Sequence, residues 1–176
     1  MQIKTTLTRN VDDQIYPLWS TDLSVLITYL TTKLFRLYLM TCDFVFDADN
    51  HLDVSDISSS YYIPAGNGYR GKIISRSKNY LSYTQTESGI GNLPSIVLYN
   101  PFLLPVSGEV GPFKTALLCL AETYYKDGDP LPIIGALDFE KPIILKENEF
   151  FGFRNMCIII QSDKTIGIIY SGDLGY

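Results

Sequence analysis

The sequence predicts a mainly β protein, an antiparallel sandwich or barrel-like sheet with one N-terminal amphipathic helix packed on it. Three observations predict it. From Tyr69 to Tyr170, short segments rich in Ile, Val, Leu, Tyr and Phe follow one another, each bounded by Gly, Pro, Asn, Asp or Ser. No helix-length periodic segment interrupts them. Runs such as Ile158, Ile159 and Ile160, or Ile143, Ile144 and Leu145, are apolar on both faces of a strand and need cover on both sides. A sandwich, a barrel or an oligomer interface supplies that cover.

Residues 1–18 are polar and mixed, with Ile3, Leu7, Val11 and Ile15 as spaced apolar residues before Pro17 and Trp19. This pattern fits an arm that wraps a neighbouring subunit, and equally an edge strand of its own domain. The rest, 19–176, reads as a single β-rich domain. From about residue 20 to 40, Leu23, Leu26, Ile27, Leu30, Leu34, Leu37 and Tyr38 recur at helical spacing behind the caps Ser20, Thr21 and Asp22. Val25, Tyr29, Phe35 and Leu39 make this helix apolar nearly all round, so it is expected to pack on the sheet and on a second surface.

CDFVFD (42–47) then reads as a strand and DADNHLDVSDISSS (47–60) as a polar loop holding Asp47, Asp49, Asp53, Asp56 and the only histidine, His51. An EF-hand starting at Asp47 requires Gly at its sixth place and Glu at its twelfth, where the chain has Leu52 and Ser58. No further His or Cys stands at zinc spacing, so the loop is read as solvated and metal-free. The following strands are GKIIS, PSIVLYN, FKTALLCLAE, LPIIGALDF, KPIILK, EFFGF, MCIIIQS and KTIGIIYS.

Chemistry is sparse. One histidine and no GxSxG elbow argue against triad hydrolysis, and the absence of GxxxxGK and GxGxxG argues against nucleotide binding. GNGYRG at 66–71 has glycines but leads into a strand. Carboxylates at 122, 127, 129, 138, 140, 147 and 149 leave glycosidase-like pairing open, although most of them punctuate turns. No cofactor is expected and the chain is read as non-enzymatic. A net charge of -5 without a basic run argues against nucleic acid. The stretch Leu23–Met40 carries Lys33 and Arg36, and no uncharged run approaches the roughly 20 residues of a membrane span. The start lacks a signal-peptide pattern. Cys42, Cys119 and Cys157 are far apart and odd in number, which fits reduced thiols and assembly in a cytoplasm.

From GNGYRG through SIVLYNPF the chain resembles small tail-fibre-like and head-decoration-like virion proteins of tailed bacteriophages. The order is similar over residues 20–160: a helix, a strand at Cys42–Phe46, a turn at Gly68, Tyr69 and Arg70, and an aromatic strand at Ser95–Phe102. It continues through GEVGPFKTALLCLAE and GDPLPIIGALDFEKPIILKENEFFGF, where Gly128, Gly135, Ala136, Leu137, Lys141 and Pro142 fit the family's order. Glu147, Asn148 and Glu149 stand where Gly-Glu or Gly-Asp is usual, and Asn can take the left-handed turn conformation in place of Gly. The arm before residue 20 and the loop at 47–56 depart from the pattern.

The resemblance implies a virion structural protein without catalytic residues, most concretely a capsid decoration (cement) protein. Its partners would be the major capsid protein or other virion proteins and further copies of itself as a trimer or dimer, with no membrane and no nucleic acid. It would be made in a host cytoplasm and located on the capsid exterior or tail. Ile3, Leu7, Val11, Ile15, Trp19, Tyr61 and Tyr62 are the candidate interface residues. The alternative is a tail-fibre or adhesion module that stacks a host glycan on Tyr61, Tyr62, Tyr80, Tyr83, Tyr124 or Tyr125.

Overall fold

The run LFRLYLMT, read above as the last turns of a helix, is a strand. The computed structural model describes residues 3–10, 34–83, 93–99, 101–121, 133–160 and 165–171. Ten strands occur among them: β1 (Ile3–Asn10), β2 (Leu34–Thr41), β3 (Ile73–Tyr83), β4 (Leu93–Leu98), β5 (Phe102–Leu103), β6 (Val110–Ala121), β7 (Ile133–Leu145), β8 (Phe151–Gly152), β9 (Arg154–Ile160) and β10 (Thr165–Ser171). All their pairings are antiparallel. Eight strands form one sheet in the order β1-β10-β9-β4-β3-β2-β6-β7, and β5 pairs with β8 separately.

The long strand β3 joins two halves of the sheet. Its first residues, Ile73 to Arg76, pair with β2, whereas Ser77 to Tyr83 pair with β4. At the far ends of the order, β1 and β7 lie against each other, with no ladder pairing between their described residues. Between the halves sits one apolar interior. Phe35, Leu37 and Leu39 of β2 meet Ala116, Leu118 and Leu120 of β6 there, with Leu98, Met156 and Ile158. Phe113, Phe139, Phe151 and Phe153 fill part of it, meeting edge to face except for the stacked pair Phe139 and Phe153, and the ring centroids of Phe113 and Phe151 are 5.2 Å apart.

A second, smaller apolar layer explains why β2 and β6 are buried on both faces. The intervening side chains Met40, Leu117, Cys119, Ala121, Ile133 and Ala136 point away from the interior and are covered by Phe44, Ile57, Val54, Tyr61 and Tyr62. The cover is the connection from β2 to β3, pinned by Ile63 N–H donating to Leu39 C=O at 2.9 Å and Ile133 N–H donating to Leu52 C=O at 2.9 Å. Strands covered on both faces need near-continuous apolar sequence, and such a run satisfies a helical period as readily as a strand period. That is why Leu34–Thr41 was misassigned; residues 20–33 of the expected helix lie outside the described residues.

Three further corrections concern breaks. CDFVFD is not a strand: β2 ends at Thr41, the chain turns, and Phe44 drops onto the outer layer. The described part of LPIIGALDF, from Ile133, and KPIILK up to Leu145 belong to one strand, because β7 runs through Pro142. A proline is tolerated there since β7 ends the sheet order, and Pro142 and Ile144 are exposed. Likewise Gly111 and Pro112 lie inside β6 at a register shift. No helix among the described residues is long and apolar enough to cross a membrane.

Candidate interaction surface

Of the expected interface residues, Ile3 and Leu7 belong to β1, whose backbone pairs with β10. Val11, Ile15 and Trp19 lie outside the described residues, as do Tyr124 and Tyr125. Tyr61 and Tyr62 are half-buried in the outer layer. Tyr61 meets Phe44 edge on at 5.6 Å, and Tyr62 meets Tyr38 edge on at 5.5 Å while its hydroxyl donates to Val54 C=O. Burial pushes the Tyr62 hydroxyl above its ordinary pKa. Both rings serve packing within the chain.

The aspartate-rich loop is a structured cover. Asp53 accepts from Ser55 N–H and Asp56 accepts from the N–H groups of Leu52 and Asp53, capping a short 3-10 turn at Val54–Asp56. Asp47 accepts from the Asn50 side chain at 2.7 Å and from Asp49 N–H, which hold its carboxyl below the usual range. His51 stacks on Phe44 and its Nδ1 accepts from Asp47 N–H. Among the described residues, no three His, Cys, Asp or Glu side chains converge as a metal site. Cys119 is buried and Cys42 exposed.

The surface that stands out is elsewhere. An open groove of about 680 Å³ is lined by Arg70, Lys72, Ile74, Arg76, Tyr99 and Phe102 over a floor that includes Ile73 and Leu103. Strand alternation builds its wall: Ile73 and Ser75 face inward, so Ile74 and Arg76 face out, with Ile74 57 % exposed. The Arg76 guanidinium lies 4.9 Å from the Tyr99 ring centre, while Ser75 Oγ donates to Tyr99 C=O.

The small β5–β8 sheet continues this face. Leu103 and Phe151 turn inward, leaving Phe102, 59 % exposed, stacked on Phe150 at 5.8 Å. Gly152, opposite Phe102, permits the stack, because a Cβ there would meet the Phe150 ring at 2.8 Å. At the other rim, Asn67 and Gly68 have φ of 54° and 95°, the signature of a tight Asn-Gly turn. This turn docks on the segment carrying exposed Leu104 and Val106, since Val106 N–H donates to Asn67 C=O and the Asn67 amide donates to Glu109 C=O.

The site therefore offers an apolar floor, two exposed aromatic rings and three cations. Its chemistry is complementary to an acidic surface that carries an apolar side chain. Although the sequence holds no basic run, Arg70, Lys72, Arg76 and Lys78 fall within nine residues, and the first three share one groove. Charge summed over the whole chain hides this local excess. The alternation of cations with isoleucine in RGKIISR was the signal available in the sequence. Comparison with family models, with curated proteins and with solved structures finds no match for this chain.

Proposed function

We propose that this chain is a non-enzymatic structural protein that works through its surface, most concretely a decoration (cement) protein of a tailed-bacteriophage capsid. In this reading the sheet is rolled into a barrel-like body, with β1 closing against β7. The body presents one contact face to neighbouring virion subunits, the major capsid protein among them. The observation that carries the reading is a groove lined by exposed Ile74, Tyr99 and Phe102, the last stacked on exposed Phe150, with exposed Leu104 and Val106 on the segment that follows Phe102. Exposed apolar faces of this kind favour protein–protein contact, and Tyr and Phe give much area for little entropy loss. The sequence resemblance to decoration-like virion proteins suggests the kind of assembly, with two of its parts, the helix through residue 40 and the strand at Cys42–Phe46, replaced by β2 and a turn in the fold. Tyr61 and Tyr62, candidates in both the decoration and the adhesion readings, are half-buried against Phe44 and Tyr38.

The test is binding to capsid shells that lack the chain. The unmodified protein is expected to cosediment in fixed ratio to the lattice and to raise the temperature at which the shells open. Phe102→Ser and Phe150→Ser should fold normally and stay in the supernatant. Unchanged binding by both variants contradicts the role of this face; no binding by the unmodified chain contradicts the decoration reading.

A further inference from the structure

The charge of the chain is segregated in a way that names an occupant for the groove. Residues 43–56 contain five aspartates, Asp43, Asp47, Asp49, Asp53 and Asp56, and no Lys or Arg. Residues 57–108 contain four cations, Arg70, Lys72, Arg76 and Lys78, against the single acid Glu87. The acidic stretch also carries an apolar anchor: Val45 is 78 % exposed, flanked by exposed Asp43 and Asp47. The groove has the converse composition, cations around Ile74, Tyr99 and Phe102.

At Arg76 the groove lies far from the acidic segment along β2, whereas its other rim, at Arg70, lies next to Tyr69, whose hydroxyl reaches Leu39. Arg76 stands opposite Leu34 at one end of that strand, and Leu34 itself lines the groove. Asp43 follows Thr41 at the other end. Eight residues of strand span about 25 Å, well beyond the roughly 8 Å over which exposed charges interact at physiological salt. The complementarity of the Arg76 end is therefore available between molecules.

We propose that a second copy of this chain occupies the groove, its acidic segment 43–49 seated against Arg70 and Arg76 with Val45 on the apolar floor. This inference rests on the assembly reading above and names one partner of the same face. The contact joins two different surfaces, so it is head-to-tail: it closes into a ring or continues as a row on a lattice.

Sedimentation velocity on the full chain tests it. The expected result is concentration-dependent self-association that weakens as salt rises. Arg70→Glu with Arg76→Glu should weaken association about tenfold or more, as should Asp43→Arg with Asp49→Arg, since like charges then face each other. Mixing the two double variants should restore association, because the intact groove of one takes the intact segment of the other and the two reversed surfaces are again opposite in charge. A chain that stays monomeric at low salt, or that associates regardless of these swaps, overturns the proposal. So does a monomer whose groove instead captures single-stranded DNA in an Arg76-dependent way. If the monomeric chain still binds capsid shells, the second-copy inference fails alone and the decoration reading stands.

Discussion

The hydroxyl of Tyr69 accepts the main-chain N–H of Leu39 at 3.1 Å inside the sheet. Tyr69 is 2 % exposed, and the carbonyl of the same Leu39 accepts Ile63 N–H, so the turn that carries Tyr69 and the outer cover both attach to one residue of β2. The geometry of the groove depends on this tie, because Gly68 and Arg70 flank Tyr69 at its rim.

Tyr69→Phe leaves a buried amide without its acceptor. Loss of a buried partner costs about 1–3 kcal/mol, and urea unfolding of the variant should give a midpoint lowered by that amount with an unchanged slope.

Alkaline pH should destabilise the fold through the same residue. Burial raises the Tyr69 hydroxyl above its ordinary value of 10.0. Below that pH both the folded and unfolded chains hold the proton, and the stability is fully present. As pH rises past it the unfolded chain ionises first, so stability is lost through the raised folded value, at about 1.4 kcal/mol per pH unit for this group. Unfolding free energies measured across that window should fall more steeply for the natural chain than for Tyr69→Phe.

Thr41 at the end of β2 has a buried hydroxyl oxygen with no hydrogen-bond partner among the described residues. Thr41→Val keeps the shape and removes the uncompensated desolvation, so it should raise stability by about 1 kcal/mol. Thermal unfolding checks this; a lowered melting temperature would mean that the hydroxyl is satisfied after all.

Two phenylalanines three positions or fewer from Gly152 or opposite it should behave in contrary ways. Phe151, fully buried against Phe113, Phe139 and Phe153, should cost about 3–5 kcal/mol on replacement by Ala. Phe102→Ala, on the exposed side of the same two-stranded sheet, should change stability by about 0.5 kcal/mol at most. Parallel melts of the two variants separate the residue that holds the fold from the one kept for contact.

The β character was legible because apolar runs punctuated by Gly, Pro and Asn admit few other structures. Even the left-handed turn at Asn148, with φ of 64°, was readable from its place between Glu147 and Glu149. The helix reading failed at Leu34–Thr41 because a strand buried on both faces has no alternation to betray it. The aspartates of the loop looked free because capping bonds are short-range in space but need a backbone conformation that composition does not encode. The groove was missed for a different reason: Phe102 and Phe150 are 48 positions apart in sequence, and only the pairing of β5 with β8 stacks them.

The central claim is that this chain acts as a component of a particle through the Phe102–Phe150 face. A cryo-EM map of the virion with the chain located tests that most directly. The account predicts copies at symmetry-related positions on the capsid lattice, with this face buried against a neighbour. A particle without the chain, or copies whose Phe102–Phe150 face points into solvent, would contradict it.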